Sequence, residues 1–258
     1  MRALAVSIAV CALAACTAGG PARPGERVER MVRGVANPGK VVTTDIAFAR
    51  AAREDGQWSA FRAFAAPGAI IHGKDGPIVA DPWLAAQDDP EMPVQWTPLA
   101  VWSSCDGQMA VSHGKFAEPG GTWGYYATAW ERQRDYTYRW TYDLGGPDDA
   151  LTAREAARRT AAEEDADENL IVVEAIAMIQ GEVADCPADG AAPPPPPQWP
   201  KPEGGSAGRE LSVDGTLAWG WAQHADGRRV FTVQDWHGGE WRTALTHVIG
   251  PDGKHVPQ

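Results

Sequence analysis

Basic residues are scarce in this chain. Of 258 residues, 23 are Lys or Arg against 34 Asp or Glu, leaving a formal charge of −11. That balance excludes nucleic acid as a partner, because phosphate recognition needs a clustered cationic surface. It also excludes docking on anionic lipid by charge alone. Long apolar runs are missing too: the one candidate, residues 3–14, falls short of the roughly 20 residues a membrane-spanning helix needs. Neither a P-loop nor a dinucleotide-binding glycine fingerprint occurs. No pair of His, Cys or carboxylate residues has the spacing of a metal site, so no metal and no cofactor is expected. Cysteine is sparse, at four residues. Tryptophan is plentiful: 12 residues within a hydrophobic fraction of 44% can bury a sizeable core and exclude wholesale disorder.

The first residues read as an export signal and stand apart from the fold. Arg2 supplies the positive start, residues 3–14 the apolar run, and small residues precede Cys16. Leu13-Ala14-Ala15-Cys16 resembles the bacterial lipoprotein box, with an ordinary secretory signal cut nearby as the alternative. The resemblance implies that residues 1–15 are removed and that Cys16 becomes an acylated first residue. Its acyl chains would hold the protein to a membrane far more firmly than one chain can. Thr17 at the next position, rather than Asp, implies the outer membrane, with the body facing the periplasm. Residues 16–39, rich in Gly, Pro, Arg and small side chains, read as a flexible tether. Cys11 leaves with the signal and Cys16 takes lipid, so Cys105 and Cys186 remain. In an oxidising envelope they are expected to form a disulfide, the alternatives being two buried thiols or intermolecular pairing.

Residues 96–146 organise the rest. Four runs rich in aromatic and β-branched residues are separated by turn signals at Asp106-Gly107, Pro119-Gly120-Gly121 and Arg134-Asp135, the pattern of an antiparallel meander. Upstream, residues 41–54 place Val42, Ile46, Ala49 and Ala52 on one helical stripe, with Thr43 or Thr44 in the cap region. Residues 58–65 predict a second, short helix with Phe61 and Phe64 on its buried side. AIIHG follows as a short strand. Residues 81–87 predict a third helix, with Asp81 as cap and Pro82 at the first helical position.

This order of helix, helix, strand, helix and long sheet is carried by FARAAREDGQWSAFRAFAAPGAIIH, WTPLAVWSSCDGQMAVSHG, GYYATAWERQ and YRWTYDLG. It resembles the nuclear transport factor 2-like superfamily, which includes SnoaL-like cyclases and ketosteroid isomerase, and within it a branch of unknown function. The likeness covers residues 41–146. It implies an α+β fold in which N-terminal helices meet a cone-shaped, curved antiparallel sheet. A pocket lies between the two, and pairing of two copies through the sheet is a further role the superfamily suggests.

Residues 147–168 read as a charged, solvated helix held by i, i+4 ion pairs. Residues 170–183 leave strand and helix both open. A helix passing into an edge strand before Cys186 is expected, completing a domain of residues 40–186. Residues 187–208 read as a Pro-rich spacer of polyproline II type. Residues 209–258 carry a partial repeat of the meander. SSCDGQMAV aligns with LSVDGTLAW, setting Asp106-Gly107 on Asp214-Gly215, while GYYATAW and RWTYDLGGPD have looser echoes in VFTVQDW and WRTALTHVIGPD. Three strands without helices cannot bury a face alone, so this C-terminal β extension is expected to dock on or extend the first sheet.

Taking Asp135-Tyr136 as a two-residue turn pairs Trp130 with Thr141 and Thr128 with Asp143. One face then carries Thr128, Trp130, Arg132, Arg139, Thr141 and Asp143. The other carries Tyr125, Ala127, Ala129, Tyr138, Trp140 and Tyr142. The second set is the more apolar, so Tyr125, Tyr138, Trp140 and Tyr142 are expected to line the pocket, with Asp143 pointing away. Ketosteroid isomerase-like chemistry, implied by the resemblance, needs a carboxylate base and a Tyr donor. Asp143, Tyr126, Tyr142 and His113 are the groups available, with His72 as a further acid or base. The favoured reading is a non-enzymatic envelope lipoprotein that binds a small apolar ligand or a protein partner. The alternatives are an isomerase, cyclase or hydratase using Asp143, and a structural module that forms homodimers. If Cys16 carries the anchor, Cys16→Ser is expected to move the protein from the membrane pellet to the soluble fraction; unchanged sedimentation refutes the anchor.

Overall fold

The computed structural model describes residues 36–164, 178–187, 191 and 193–257. Its first helix, α1 (Pro38–Glu54), begins at Asn37, and Pro38 sets φ at the first turn. Thr43 and Thr44 do not cap it. Their hydroxyls donate back to the carbonyls of Gly39 and Lys40 within the helix. The buried side runs Val41, Asp45, Phe48, Ala49 and Ala52. The stripe is therefore rotated from the expected one, and Ile46 is 48% exposed.

Gly56, at φ 105°, turns the chain into α2 (Gln57–Phe64). A side chain there would collide with the Asp89 carboxylate. That carboxylate accepts from the N–H groups of Trp58 and Ser59 at 2.5 and 3.0 Å, capping α2 from a distant loop. Next come β1 (Ala65–Gly73), β2 (Gly76–Val79) and α3 (Ala80–Ala85). No side chain caps α3, and Asp81 lies inside its first turn rather than ahead of it.

Four strands then build the meander: β3 (Gln95–Ser103), β4 (Met109–Ala117), β5 (Trp123–Arg132) and β6 (Tyr138–Pro147). After them, α4 (Asp149–Glu164) starts on Asp148, whose Oδ1 accepts from the Leu151 N–H at 2.6 Å. The helical part expected within 170–183 falls mostly outside the described residues; the edge strand is β7 (Gln180–Val183). The fold is α+β, but the sheet is mixed rather than purely antiparallel. Its order is β2-β1-β6-β5-β4-β3-β7, with β1 parallel to β6 and β7 parallel to β3. Cys105 and Cys186 form a disulfide across a sequence separation of 81, fastening the end of β7 to the Ser103-Ser104 end of β3.

A bulge decides the faces. β5 and β6 pair Thr128 with Asp143 and Ala129 with Tyr142, as the short-turn register requires. Then they slip, so that Trp130 sits opposite Trp140 and not Thr141. The extra residue swings Tyr138 and Trp140 onto the side of Trp130. That side packs on the helices through Val41, Phe48, Ala52, Ala60 and Leu84. The other side presents Ala127, Ala129, Tyr142 and Leu144 to a second sheet. The expected pocket face is thus split between two cores, and Asp143 points toward the helices instead of away. Apolarity misled here because both faces of the meander are covered, so the greasier one need not face the helices.

The second sheet has four strands rather than three: β8 (Ser206–Leu211), β9 (Leu217–Gln223), β10 (Arg229–His237) and β11 (Glu240–Ile249). Its antiparallel order, β11-β10-β9-β8, reproduces β6-β5-β4-β3. The aligned turns are built alike. The Gly107 N–H donates to Ser104 O at 3.0 Å and the Gly215 N–H to Ser212 O at 2.9 Å, with φ of 64° and 70°. The two turns also hold each other: the Asp106 N–H donates to Asp214 Oδ2 at 2.7 Å, and the Cys105 N–H to Thr216 Oγ1 at 2.9 Å. Leu217, Trp219, Phe231, Val233 and Ile249 then pack on Trp102, Val111, Tyr142 and Leu144. The Pro-rich segment is tied to the same sheet, since Trp241 Nε1 donates to Pro194 O at 2.7 Å and the Trp199 ring covers Gly220. Reducing Cys105–Cys186 frees a long loop in the unfolded chain and is expected to cost about 4.5 kcal/mol. The check is a lower urea midpoint under reducing conditions, with Cys105→Ser/Cys186→Ser matching it.

Candidate functional site

Pairing of β1 with β6 ends at Ile71 opposite Asp143. Beyond that point the strands part, and a cavity of about 410 Å³ reaches from α1 and α2 to the start of β10. Its wall is aromatic. The Phe48 ring lies 4.8 Å from Phe61 and 4.7 Å from Trp96, and Trp58 lies 5.4 Å from Phe61, all edge-on. Phe48 is fully packed, whereas Trp58, Phe61, Trp96 and Phe116 stay half-buried while lining the space.

A few polar groups converge on this wall. Asp143 faces in beside Thr128, whose hydroxyl donates to Oδ2 at 2.6 Å. Its Oδ1 has no hydrogen-bond partner among the described residues. Burial pushes the Asp143 carboxyl up to about 6, and repulsion from the Asp45 charge adds to the rise. Asp45, one i+4 step from Val41 on the buried side of α1, sits behind the wall. It accepts from Trp96 Nε1 at 3.0 Å and from the Tyr126 hydroxyl at 3.0 Å. Burial raises it also to about 6, against the opposing pull of Ser112, Tyr126 and Trp96. The Tyr126 phenol is held well above its ordinary value by burial and by the neighbouring Asp45 charge, so it stays a donor. At the far end stands Arg229, 4% exposed, with Nη1 donating to His72 O at 3.0 Å.

Of the groups singled out from sequence, Asp143 and Tyr126 come together in this cavity. His113 does not: it stacks on Tyr125 at 5.6 Å, near His247, and burial lowers it to about 4. His72 borders the cavity, but its ring is engaged elsewhere, with Tyr142 Oη at 2.5 Å and Gln223 Oε1 at 2.8 Å. Burial lowers it as well, to about 4. Tyr125, Tyr138, Trp140 and Tyr142 do not line the cavity that holds Asp143. Tyr125 borders a small recess beside His255 and Asp148. Tyr138 donates to Gly107 O at 2.5 Å and edges an open groove of about 700 Å³ near the start of α1. Trp140 is a core residue with Nε1 on Phe61 O at 3.1 Å. Tyr142 packs between the sheets, 5.3 Å from Phe231. Cys16 lies outside the described residues.

Asp45, Trp96 and Arg229 were not foreseen. For Asp45 the signal was present: a carboxylate interrupting an apolar helical stripe. For Arg229 there was none, since only the docking of the second sheet brings it here. Among the described residues no group of three His, Cys, Asp or Glu could hold a metal ion, and no helix is long and apolar enough to cross a membrane. Compared with known proteins, the chain matches no family model and no curated protein.

The raised Asp143 pKa fixes a stability profile. As pH rises, the unfolded chain releases this proton near 4 and the folded protein only near 6. Stability from this group therefore falls between those values and stays low above them. Asp143→Asn is expected to stabilise the fold by up to about 3 kcal/mol at neutral pH, the gain vanishing toward pH 4. Urea unfolding of both proteins across that range is the check.

Proposed function

We propose that the protein is an envelope lipoprotein whose helix-and-sheet domain, of nuclear transport factor 2-like type, binds a small and mostly apolar molecule in the aromatic cavity. The observation that carries this reading is the cavity itself. It has the size of a small-molecule site, walls of Trp58, Phe61, Phe48, Trp96 and Phe116, and a sparse set of inward polar groups to orient a ligand. A merely structural core would close on its aromatics, since interiors pack with few voids larger than a water molecule.

A second reading has its own support. Asp143 faces the cavity with one free oxygen and a pKa near 6, and Tyr126 stands next to it as a permanent donor. A carboxylate poised near the working pH is suited to move a proton on a bound ligand, the step that isomerases, cyclases and dehydratases share. The binding reading ranks first because the Tyr126 hydroxyl is already committed to Asp45.

Native mass spectrometry of protein extracted from its own membranes tests both readings. A co-purifying small molecule is expected, and Trp58→Ala at the cavity wall is expected to lose it while thermal stability drops little. Absence of any bound molecule, with no gain on adding an apolar dye, counts against the cavity as a site. Deuterium entering the bound molecule from D2O, and failing to do so in Asp143→Asn, promotes the proton-transfer reading.

A further inference from the structure

The cavity is bordered by a cation that no carboxylate among the described residues pairs with. Arg229 opens β10, crosses beneath the end of β1 and reaches the cavity wall with 4% of its surface exposed. Among the described residues it makes a single hydrogen bond, from Nη1 to the His72 carbonyl at 3.0 Å. Its Nε is buried without a partner, and no carboxylate pairs with it among the described residues. Arg242, an exposed arginine on β11, shows what a paired guanidinium has: it holds both Asp235 and Glu182.

An unpaired buried charge costs several kcal/mol, and proteins ordinarily remove it by pairing or by neutralisation. Neutralisation is closed to a guanidinium, which keeps its proton throughout the physiological range. Asp143, the carboxylate in the same cavity, makes no ion pair with Arg229, and its raised pKa means that it gives up its charge readily when a second anion comes near. Arg229 is left without a direct counter-ion among the described residues. Lys74, exposed at the rim, adds a second positive group on that side. The opposite wall is aromatic, so the two ends of the cavity ask for different things.

We infer that the ligand is an organic acid: an apolar, ring-sized body against Trp58, Phe61 and Trp96, with a carboxylate group seated on Arg229. This rests on the cavity being a ligand site and says which class of molecule fills it. A carboxylate is the natural counter-ion of a guanidinium and can accept a charge-assisted hydrogen bond from Nη2, which has no partner among the described residues and is not sealed off as Nε is. Its arrival places negative charge near Asp143, so binding draws a proton onto that residue.

Three probes that share one ring system separate the possibilities: naphthylacetate, naphthylethanol and naphthylethylamine, titrated calorimetrically into the purified full-length protein near neutral pH. The acid is expected to bind about ten- to a hundredfold tighter than the alcohol, the margin of a charge-assisted hydrogen bond in a buried site. The amine should bind no better than the alcohol. Arg229→Met is expected to level the acid with the alcohol while leaving the melting temperature unchanged or raised, because an unpaired buried charge has been removed. Arg229→Lys keeps a cation and should keep part of the preference. Equal binding of acid and alcohol, tighter binding of the amine, or an acid preference that survives Arg229→Met overturns the inference and leaves the cavity reading standing. Binding of none of the three overturns both.

Discussion

Burial of the meander on both faces is the constraint from which the rest follows. An antiparallel sheet with one wet face alternates polar and apolar residues, and here that alternation is blurred because neither face of β4, β5 and β6 is left to water. Helices α1 to α3 cover one side, and the chain's own second sheet covers the other. The second sheet is the C-terminal copy of the meander, locked to the first through the paired Asp106 and Asp214 turns. A copy that lacks helices has one unsatisfied apolar face, and the original has one too. Docking them solves both problems at once, and it uses the sheet face that a second copy of the chain would otherwise find free.

The cavity is a by-product of that arrangement. The first sheet opens where β1 leaves β6, and the second sheet lies behind the opening, so Arg229 of β10 and Gly253 after β11 border a space whose other walls come from α1, α2, the end of β1 and β3 to β6. Two carboxylates with raised pKa values and a guanidinium with no paired carboxylate among the described residues are all costly. A fold under selection for stability alone would fill this space with leucine and methionine. Keeping charged groups inside, at the expense of stability, is the usual mark of a site.

What the sequence determined by itself is local. The turns at Asp106-Gly107 and Asp214-Gly215, the four strands of the meander, the helix–helix–strand order and the repeat all follow from short-range chemistry: glycine's freedom at positive φ, aromatic and β-branched strands, apolar periodicity. The pairing of Cys105 with Cys186 was legible as well, because so few cysteines leave few choices. Of the candidate site, Asp143 and Tyr126 were visible as chemistry but not as neighbours.

Tertiary structure alone decided the faces and the site. One extra residue, Thr141, slips the register and sends Trp140 and Tyr138 to the helices while Tyr142 stays with the second sheet. A bulge of this kind costs little locally and leaves no signature in composition, yet it changes the side of every residue beyond it. Asp45, Asp143 and Arg229 come from a helix and two separate sheets, up to 184 positions apart in sequence. Their meeting is set by how buried surfaces match, which is a property of the packed whole and of no single stretch of chain.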